Sequence, residues 1–144
     1  MKFNYGNKTP YTVTEAISKL RSYCAYRERC HKEVVTKLRG MGMIPEAVDH
    51  IVAQLIKENY LNEERFAKSF ARGKFRIKKW GKARIVKELK QRQISSYNIR
   101  SGLNEINDEE YHTTFDALAE KRLAQLTGKP KHEIKQKLYD YLLY

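Results

Sequence analysis

A short apolar pattern recurs about every 50 positions along this chain of 144 residues. Leu38 and Met43 in one segment correspond to Leu89 and Ile94, which lie 51 residues later. At the same spacing, Val48, Val52 and Leu55 are matched by Ile99, Leu103 and Ile106, and Lys137-Leu138 with Leu143 continues the series 49 residues further on. A period of this length is typical of tandem helical repeats, in which each unit buries its apolar face against its neighbours.

Each copy of the pattern reads as a group of short helices. Within the first copy, Gly40 and Gly42 end one helix, and Pro45 occupies the first turn of the next, where a missing N–H has no cost. We therefore predict an all-α fold, an elongated tandem array of three-helix repeats with about eight helices. The predicted organisation is an N-terminal arm at 1–11, a first repeat at 12–61, a second, strongly basic repeat at 62–107, and a third repeat at 108–144 that lacks its last helix.

Positive charge is concentrated in the second repeat. Between Arg65 and Arg92 there are twelve Lys and Arg residues and one acid, Glu88, so this window carries +11 of the formal net charge of +12. The repeats therefore share an architecture but differ in charge. Any acidic partner, such as nucleic acid or a nucleoprotein, is expected to bind at this window.

A single helix is expected from Glu63 to Lys79, because this stretch has no proline and a 3.6-residue period. Its buried stripe is predicted to contain Phe66, Phe70 and Ile77. Cations recur on another side at three- and four-residue steps. We call this line the rail, and it consists of Arg65, Lys68, Arg72, Arg76 and Lys79.

Two aromatic residues are expected next to the rail. Phe75 is predicted to lie at its edge, off the apolar face, and Trp80 to close the helix before Gly81. A helix that is merely solvated usually mixes both signs of charge for i,i+4 pairing, so the missing acids favour a binding face. A solvated basic face with one stray aromatic is the alternative. The candidate contacts to a filament or to DNA are Arg65, Lys68, Arg72, Phe75, Arg76, Lys79, Trp80, Lys82 and Arg84.

No arrangement of residues points to catalysis. Gly81-Lys82-Ala83 lacks the upstream glycine and the hydroxyl residue of a phosphate-binding loop. Cys24 and Cys30 have no metal-ligand spacing, so reduced thiols are expected. There is neither an 18-residue apolar run nor a signal-peptide pattern. We predict a cytoplasmic protein that is not an enzyme and uses no cofactor, no metal and no membrane partner.

Several motifs occur in a fixed order along most of the chain, from about Ala16 to Leu142. They are His31-Lys32-Glu33 with Lys37-Leu38, Tyr60-Leu61-Asn62-Glu63 leading into Arg65-Phe66-Ala67, and Gly81-Lys82 with Ile85 and Glu88-Leu89. Each motif alone is weak, but their order and spacing, joined to the repeat pattern, are fairly specific. Together they resemble RecX, a family of small regulatory proteins that modulate the recombinase RecA.

The resemblance implies an array of nine helices, eight of them present in this chain. It also implies a protein of recombination, DNA repair and the SOS response, which lies in the helical groove of the RecA–DNA filament and inhibits or reverses its growth. The chain departs from the family pattern at three places. Asn62 and Glu63 replace two aspartates, Gln93 replaces a glycine, and the closing helix of the third repeat does not follow before Tyr144.

Two other functions compete with filament regulation. One is an autonomous nucleic-acid-binding module, with the rail on phosphates and Phe75 or Trp80 stacked on bases. The other is an all-α scaffold whose basic face is incidental. Binding to bare single-stranded DNA, to RecA alone and to the preformed filament separates the first two of the three hypotheses.

Overall fold

The computed structural model describes residues 11–143, and every regular element among them is an α-helix. In chain order these are α1 Val13–Tyr26, α2 His31–Gly40, α3 Pro45–Lys57, α4 Glu63–Arg76, α5 Lys82–Gln91, α6 Ser96–Leu103, α7 Asp108–Gln125 and α8 Lys131–Leu143. The predicted all-α fold with about eight helices is confirmed. The predicted arm at 1–11 lies outside the described residues except for Tyr11, and the division into three repeats stays a prediction.

Side chains just before the helices fix where several of them begin. Thr12 and Glu15 form a reciprocal capping box at α1, with N···O distances of 2.9 and 3.1 Å. Asn62 accepts a hydrogen bond from the backbone N–H of Arg65 at 2.9 Å, so its side-chain oxygen caps α4. Such caps act over three residues, which is why the helix starts can be predicted from local sequence.

The chain divides into two compact units, with the boundary between Phe66 and Ala67 inside α4. The first unit packs α1, α2 and α3 around one apolar core. Its members are fully or almost fully buried and lie at helical spacing: Ala16, Leu20, Cys24, Val34, Leu38, Val48, Ile51, Leu55 and Leu61. Burial of this set is the main source of stability of the first unit.

In the second unit, α4 buries Ala67, Ala71 and Phe75, which follow one another at four-residue steps. Ala67 is in close contact with Gly102 of α6. A Cβ atom added at Gly102 would lie 2.7 Å from the carbonyl oxygen of Ala67, so only glycine lets the two helices approach this closely. Ile85 and Leu89 of α5 are also fully buried in this unit.

This packing corrects two sequence predictions about α4. Phe75 is only 2% exposed, and its ring centroid lies 5.6 Å from that of Tyr111, so the predicted place at the edge of the rail is wrong. Ile77, predicted to be buried, is 78% exposed because α4 ends at Arg76. Phe66 is buried as predicted, at 4% exposure, whereas Phe70 is only half-buried. The buried stripe continues through Ala67 and Ala71, which a pattern read from the large side chains alone overlooks.

The turns after α2 and α5 have the same hydrogen bonds. The carbonyl oxygen of Leu38 accepts from the N–H of Met43, and that of Leu89 accepts from the N–H of Ile94, both at 3.1 Å. The residue before each donor has a left-handed backbone, with φ of 82° at Gly42 and 61° at Gln93. The pattern that repeats in the sequence at 51 residues therefore also repeats in backbone geometry.

Helices α7 and α8 pack on each other, with Leu126 buried at the end of α7. No residue inside α7 itself is fully buried. Leu118, Ile134 and Leu138 are half-buried. Across residues 11–143, no helix has both the length and the apolar character that crossing a bilayer requires.

Candidate functional site

Arg65, the first member of the rail, is held by contacts within the first unit. Its Nε donates to Glu28 Oε2 at 2.6 Å, and its Nη2 donates to the carbonyl oxygens of Asn59 and Tyr60 at 3.0 and 3.3 Å. These contacts fasten the segment between α1 and α2 to the start of α4. The side chain is thus occupied by a structural role, which lowers its value as a contact to a partner.

Arg72 and Arg76 pair with acids from outside the basic window. Arg72 Nη1 donates to Glu105 Oε1 at 2.8 Å, and Arg76 Nε lies 3.5 Å from Glu110 Oε1. The Arg72 and Arg76 side chains are 41% and 57% exposed, respectively. Acids that follow α6 and begin α7 therefore neutralise two cations of the rail, although the sequence around the rail contains few acids.

Lys82, at the first position of α5, makes a similar contact. Its Nζ lies 3.5 Å from Asp108 Oδ1 and 4.6 Å from the centroid of the Tyr111 ring. Its backbone N–H donates to the Tyr111 hydroxyl at 2.9 Å. The start of α5 is thus joined to the first turn of α7 through both the charge and the backbone of Lys82.

Other cations remain exposed and without an acidic partner among the described residues. Lys79 donates from Nζ only to the carbonyl oxygen of Arg76 at 3.1 Å, and it follows α4 with a left-handed φ of 60°. We call the following group the open lysines, all of them exposed: Lys78, Lys79, Lys87 and Lys90. Lys68, the remaining member of the rail, is half-buried.

Trp80 lies at the centre of a group of alternating aromatic and cationic side chains, which we call the aromatic cluster: Phe70, Lys74, Trp80, Arg84 and Arg92. The guanidinium of Arg84 lies 4.1 Å from the Trp80 centroid, and that of Arg92 lies 4.8 Å from the Phe70 centroid. Lys74 Nζ is 5.5 Å from the Phe70 ring and 5.0 Å from the Trp80 ring. The two rings meet edge to face at 6.2 Å.

All five side chains of the aromatic cluster are half-buried, so rings and cations reach solvent together. Glu88 is an acidic neighbour of the cluster and accepts from Arg92 Nη1 at 3.0 Å. Cations stacked on half-exposed rings form a surface on which an unpaired base and its phosphate can both bind. Single-stranded nucleic acid therefore fits this cluster chemically.

Sequence reasoning found Trp80 and Arg84 but missed Phe70, Lys74 and Arg92 as members of this surface. The four-residue step from Phe70 to Lys74 is a local signal that was available. Arg92 carries no such signal, because it reaches Phe70 only through the packing of α5 on α4. Phe75, which was predicted to stack on bases, is buried and is not part of the surface.

Potential metal ligands and thiols are scattered among the described side chains. No group of three or more His, Cys, Asp or Glu residues able to hold a metal ion occurs among them. Cys24 and Cys30 are both buried as free thiols. Burial raises the pKa of the Cys24 thiol, which keeps it protonated and a poor nucleophile.

The chain is similar to known proteins over most of its length. A family model described as the second three-helix domain of RecX matches residues 62–103, which include α4, α5 and α6. The regulatory protein RecX of Lactobacillus johnsonii is 33% identical over 124 residues, covering 86% of this chain and 46% of that protein. That of Lactobacillus gasseri is 31% identical over 129 residues, covering 90% and 48%. The chain thus spans about half the length of these relatives.

Solved structures share the fold. One described as a regulatory protein RecX matches with a TM-score of 0.82 at 23% identity, over 90% of this chain and 65% of that chain. RecX from Lactobacillus salivarius matches with a TM-score of 0.82 at 22% identity, over 91% and 85%. At such identities the likeness establishes a common fold and leaves function to other observations.

Proposed function

The chain belongs to the RecX family, and on this premise we propose that it is a non-catalytic, cytoplasmic regulator of the RecA recombinase. It binds the RecA–DNA filament in the helical groove and inhibits or modulates RecA activity. Its relatives carry the name of a regulatory protein, which supports the regulatory role. The partner and the groove are part of this proposal.

The observation that carries the proposal is the surface formed by the open lysines and the aromatic cluster. Lys78, Lys79, Lys87 and Lys90 are exposed on or beside α4 and α5 and lack acidic partners among the described residues. Unneutralised charge of one sign on one compact unit attracts a polyanionic partner and raises the rate of encounter. A filament that exposes nucleic acid is a partner of this kind.

Co-sedimentation tests the proposal with three arms: preformed RecA–single-stranded-DNA filament, RecA alone and single-stranded DNA alone. The test variant changes Lys78, Lys79, Lys87 and Lys90 to Gln. It is expected to lose filament binding and inhibition of RecA strand exchange. A charge-matched control removes four other exposed lysines, Lys57, Lys121, Lys131 and Lys135, and should behave like wild type.

If the test and control variants bind filament equally, then the open lysines are only a solvated face and the proposed binding surface is wrong. Equal binding of wild type to filament and to naked single-stranded DNA would instead favour the second function below. All eight lysines are exposed, so both variants should melt at the temperature of wild type. Equal melting temperatures would show that any loss of binding is not caused by unfolding.

A second candidate function is an autonomous single-stranded nucleic-acid-binding module, and the aromatic cluster favours it. Stacking of one base on an aromatic side chain contributes about 1–3 kcal/mol by alanine substitution. Trp80→Ala should then weaken oligodeoxythymidylate binding by about tenfold or more, whereas Tyr26→Ala, an 84% exposed aromatic in the first unit, should not. If Trp80→Ala loses filament binding but binds oligodeoxythymidylate as wild type does, the aromatic cluster is not a nucleic-acid site and this second function is excluded.

A further inference from the structure

Three acids of the second unit pair with Arg72 and Arg76 of the rail and with Lys82 at the start of α5. We propose that Glu105, Asp108 and Glu110 act as an internal competitor, whose carboxylates occupy Arg72, Lys82 and Arg76 until a polyanionic partner displaces them. We call these three residues the internal acids. The proposal rests on the proposed function, because Arg72, Arg76 and Lys82 lie on α4 and α5, the two helices that also carry most of the proposed binding surface. It predicts that a polyanion reaches these three cations only after it displaces their carboxylates.

The internal acids are held at their cations by the fold itself. Asn107 caps α7 by accepting from the N–H of Glu110 at 3.0 Å, which fixes the first turn of the helix. Tyr111, in the same turn, stacks on Phe75 with centroids 5.6 Å apart and on Phe115 at 4.4 Å. Because this packing persists when an ion pair opens, the carboxylates stay close by and compete continuously for the cations.

Helix electrostatics do not account for all three acids. Asp108 and Glu110 lie in the first turn of α7, where the helix dipole favours negative charge. Glu105 lies just beyond the C-terminal end of α6, where the dipole disfavours it. Its contact with Arg72 at 2.8 Å supplies the compensating attraction. The same interaction neutralises a cation of the rail, which is the role that we assign to it.

The pairs are weak enough to be exchanged. The acid side chains are 34%, 44% and 86% exposed for Glu105, Glu110 and Asp108, and ion pairs at such exposure are each worth little. A single carboxylate or phosphate gains nothing by replacing one of them. A partner that presents several anionic groups at once can replace all three, so the internal acids select for polyanions.

The order of binding follows from the charges. Polyanions first meet the open lysines, since these have no acid to be displaced. Contact with Arg72, Arg76 and Lys82 comes later and requires that their carboxylates be replaced. The internal acids therefore lower the affinity for any polyanion, and they lower it most for short ones.

The test variant combines Glu105→Gln, Asp108→Asn and Glu110→Gln. Its control combines Glu109→Gln, Asp116→Asn and Glu120→Gln, three exposed acids of α7 for which the described structure shows no ion pair. Both variants lose three negative charges, so long-range electrostatics are equal. The probes are heparin and a labelled oligodeoxythymidylate, titrated at fixed salt. We expect the test variant to bind about 3- to 30-fold more tightly than the control.

Equal affinity of the two triple variants would overturn the proposal. Melting curves test whether the higher affinity arises from partial unfolding. Equal Tm values for the test and control variants exclude that explanation. A separate variant, Lys87→Gln with Lys90→Gln, reports on the proposed function. If that double variant binds filament as wild type does, the proposed binding surface is wrong. If it binds filament weakly while the two triple variants have equal polyanion affinity, only the internal-competitor proposal is wrong.

Discussion

Gln93 takes the same left-handed backbone conformation as Gly42, 51 residues earlier, with φ of 61° against 82°. Each residue lies two positions after the last residue of a helix and directly before the residue, Met43 or Ile94, whose N–H donates back to that helix. Glycine adopts this conformation at no steric cost, whereas a residue with a Cβ atom loses about 1–2 kcal/mol there. The chain thus carries a local backbone strain at Gln93.

Gln93→Gly is therefore expected to stabilise the protein. The relief of backbone strain exceeds the extra entropy of glycine in the unfolded chain, and we expect a gain of about 0.5–1 kcal/mol. The converse change, Gly42→Ala, should destabilise by about 1 kcal/mol, since no atom lies within 4 Å of the added Cβ and only the backbone is affected. Urea unfolding midpoints measure both changes in stability. The expected result is a higher midpoint for Gln93→Gly and a lower midpoint for Gly42→Ala, and two changes of the same sign would contradict it.

Gly102→Ala is expected to destabilise the second unit. The new methyl would lie 2.7 Å from the carbonyl oxygen of Ala67, which is backbone and cannot move without shifting α4 or α6. Overpacking of this kind costs about 1–3 kcal/mol. The control is Gly73→Ala in α4, where nothing lies within 4 Å and alanine favours the helix by about 0.5–1 kcal/mol. A tolerated Gly102→Ala would mean that the helices separate easily.

Phe75 and Trp80 are expected to differ in what they contribute. Phe75→Ala removes a ring that is 2% exposed and should cost about 3–5 kcal/mol of folding free energy. Trp80→Ala removes a half-buried ring and should affect stability less but polyanion binding more. Denaturant unfolding and filament binding, measured on the same preparations, test this separation. A stable Phe75→Ala variant with impaired binding would restore the role predicted from the sequence.

Charge reversal should distinguish the paired cations from the open lysines. Arg72→Glu places a carboxylate against Glu105 and is expected to lower stability by about 0.5–1 kcal/mol. Lys87→Glu has no acid in contact and lies before the last turn of α5, so its Tm should stay within the error of wild type. Calorimetry of the two variants at low salt measures the difference, and added salt should reduce it.

The pKa of Glu58 gives a prediction for acid conditions. Hydrogen bonds from Arg21 and then from Gln54 lower the pKa of this carboxyl below its ordinary value of 4.5. Because the folded pKa is depressed, the stabilisation is present above pH 4.5 and is lost as the pH falls through the folded pKa. NMR titration of Glu58 in Arg21→Gln should show a higher pKa than in wild type. An unchanged value would mean that the pair does not persist in solution.

The helices and the repeat of their pattern were predictable because the signals are local. The Thr12 cap acts across three residues, and Pro45 and Gly42 mark a helix start and a helix end through their own backbone preferences. The match of Leu38 and Leu89 at 51 residues reflects the same packing need in two copies. Such information is contained in windows of a few residues, whatever the rest of the chain does.

The face of α4 that is buried was not predictable in the same way. Ala67 and Ala71 add little to an apolar pattern, yet both are fully buried, and Ala67 is in close contact with Gly102 of α6. The availability of the cations was also not predictable, since Arg72 is neutralised by Glu105, which lies outside the basic window.

Helix period, caps and charge count are properties of neighbouring residues, so the sequence alone predicts a basic, all-α chain with a repeating pattern. The place of Phe75 in the core, and the meeting of Phe70 and Arg92 with Trp80 at the surface, depend on the tertiary structure. Burial and ion pairing depend on which helices meet and how closely. Those distances are set by contacts between residues far apart in the chain, such as Ala67 with Gly102.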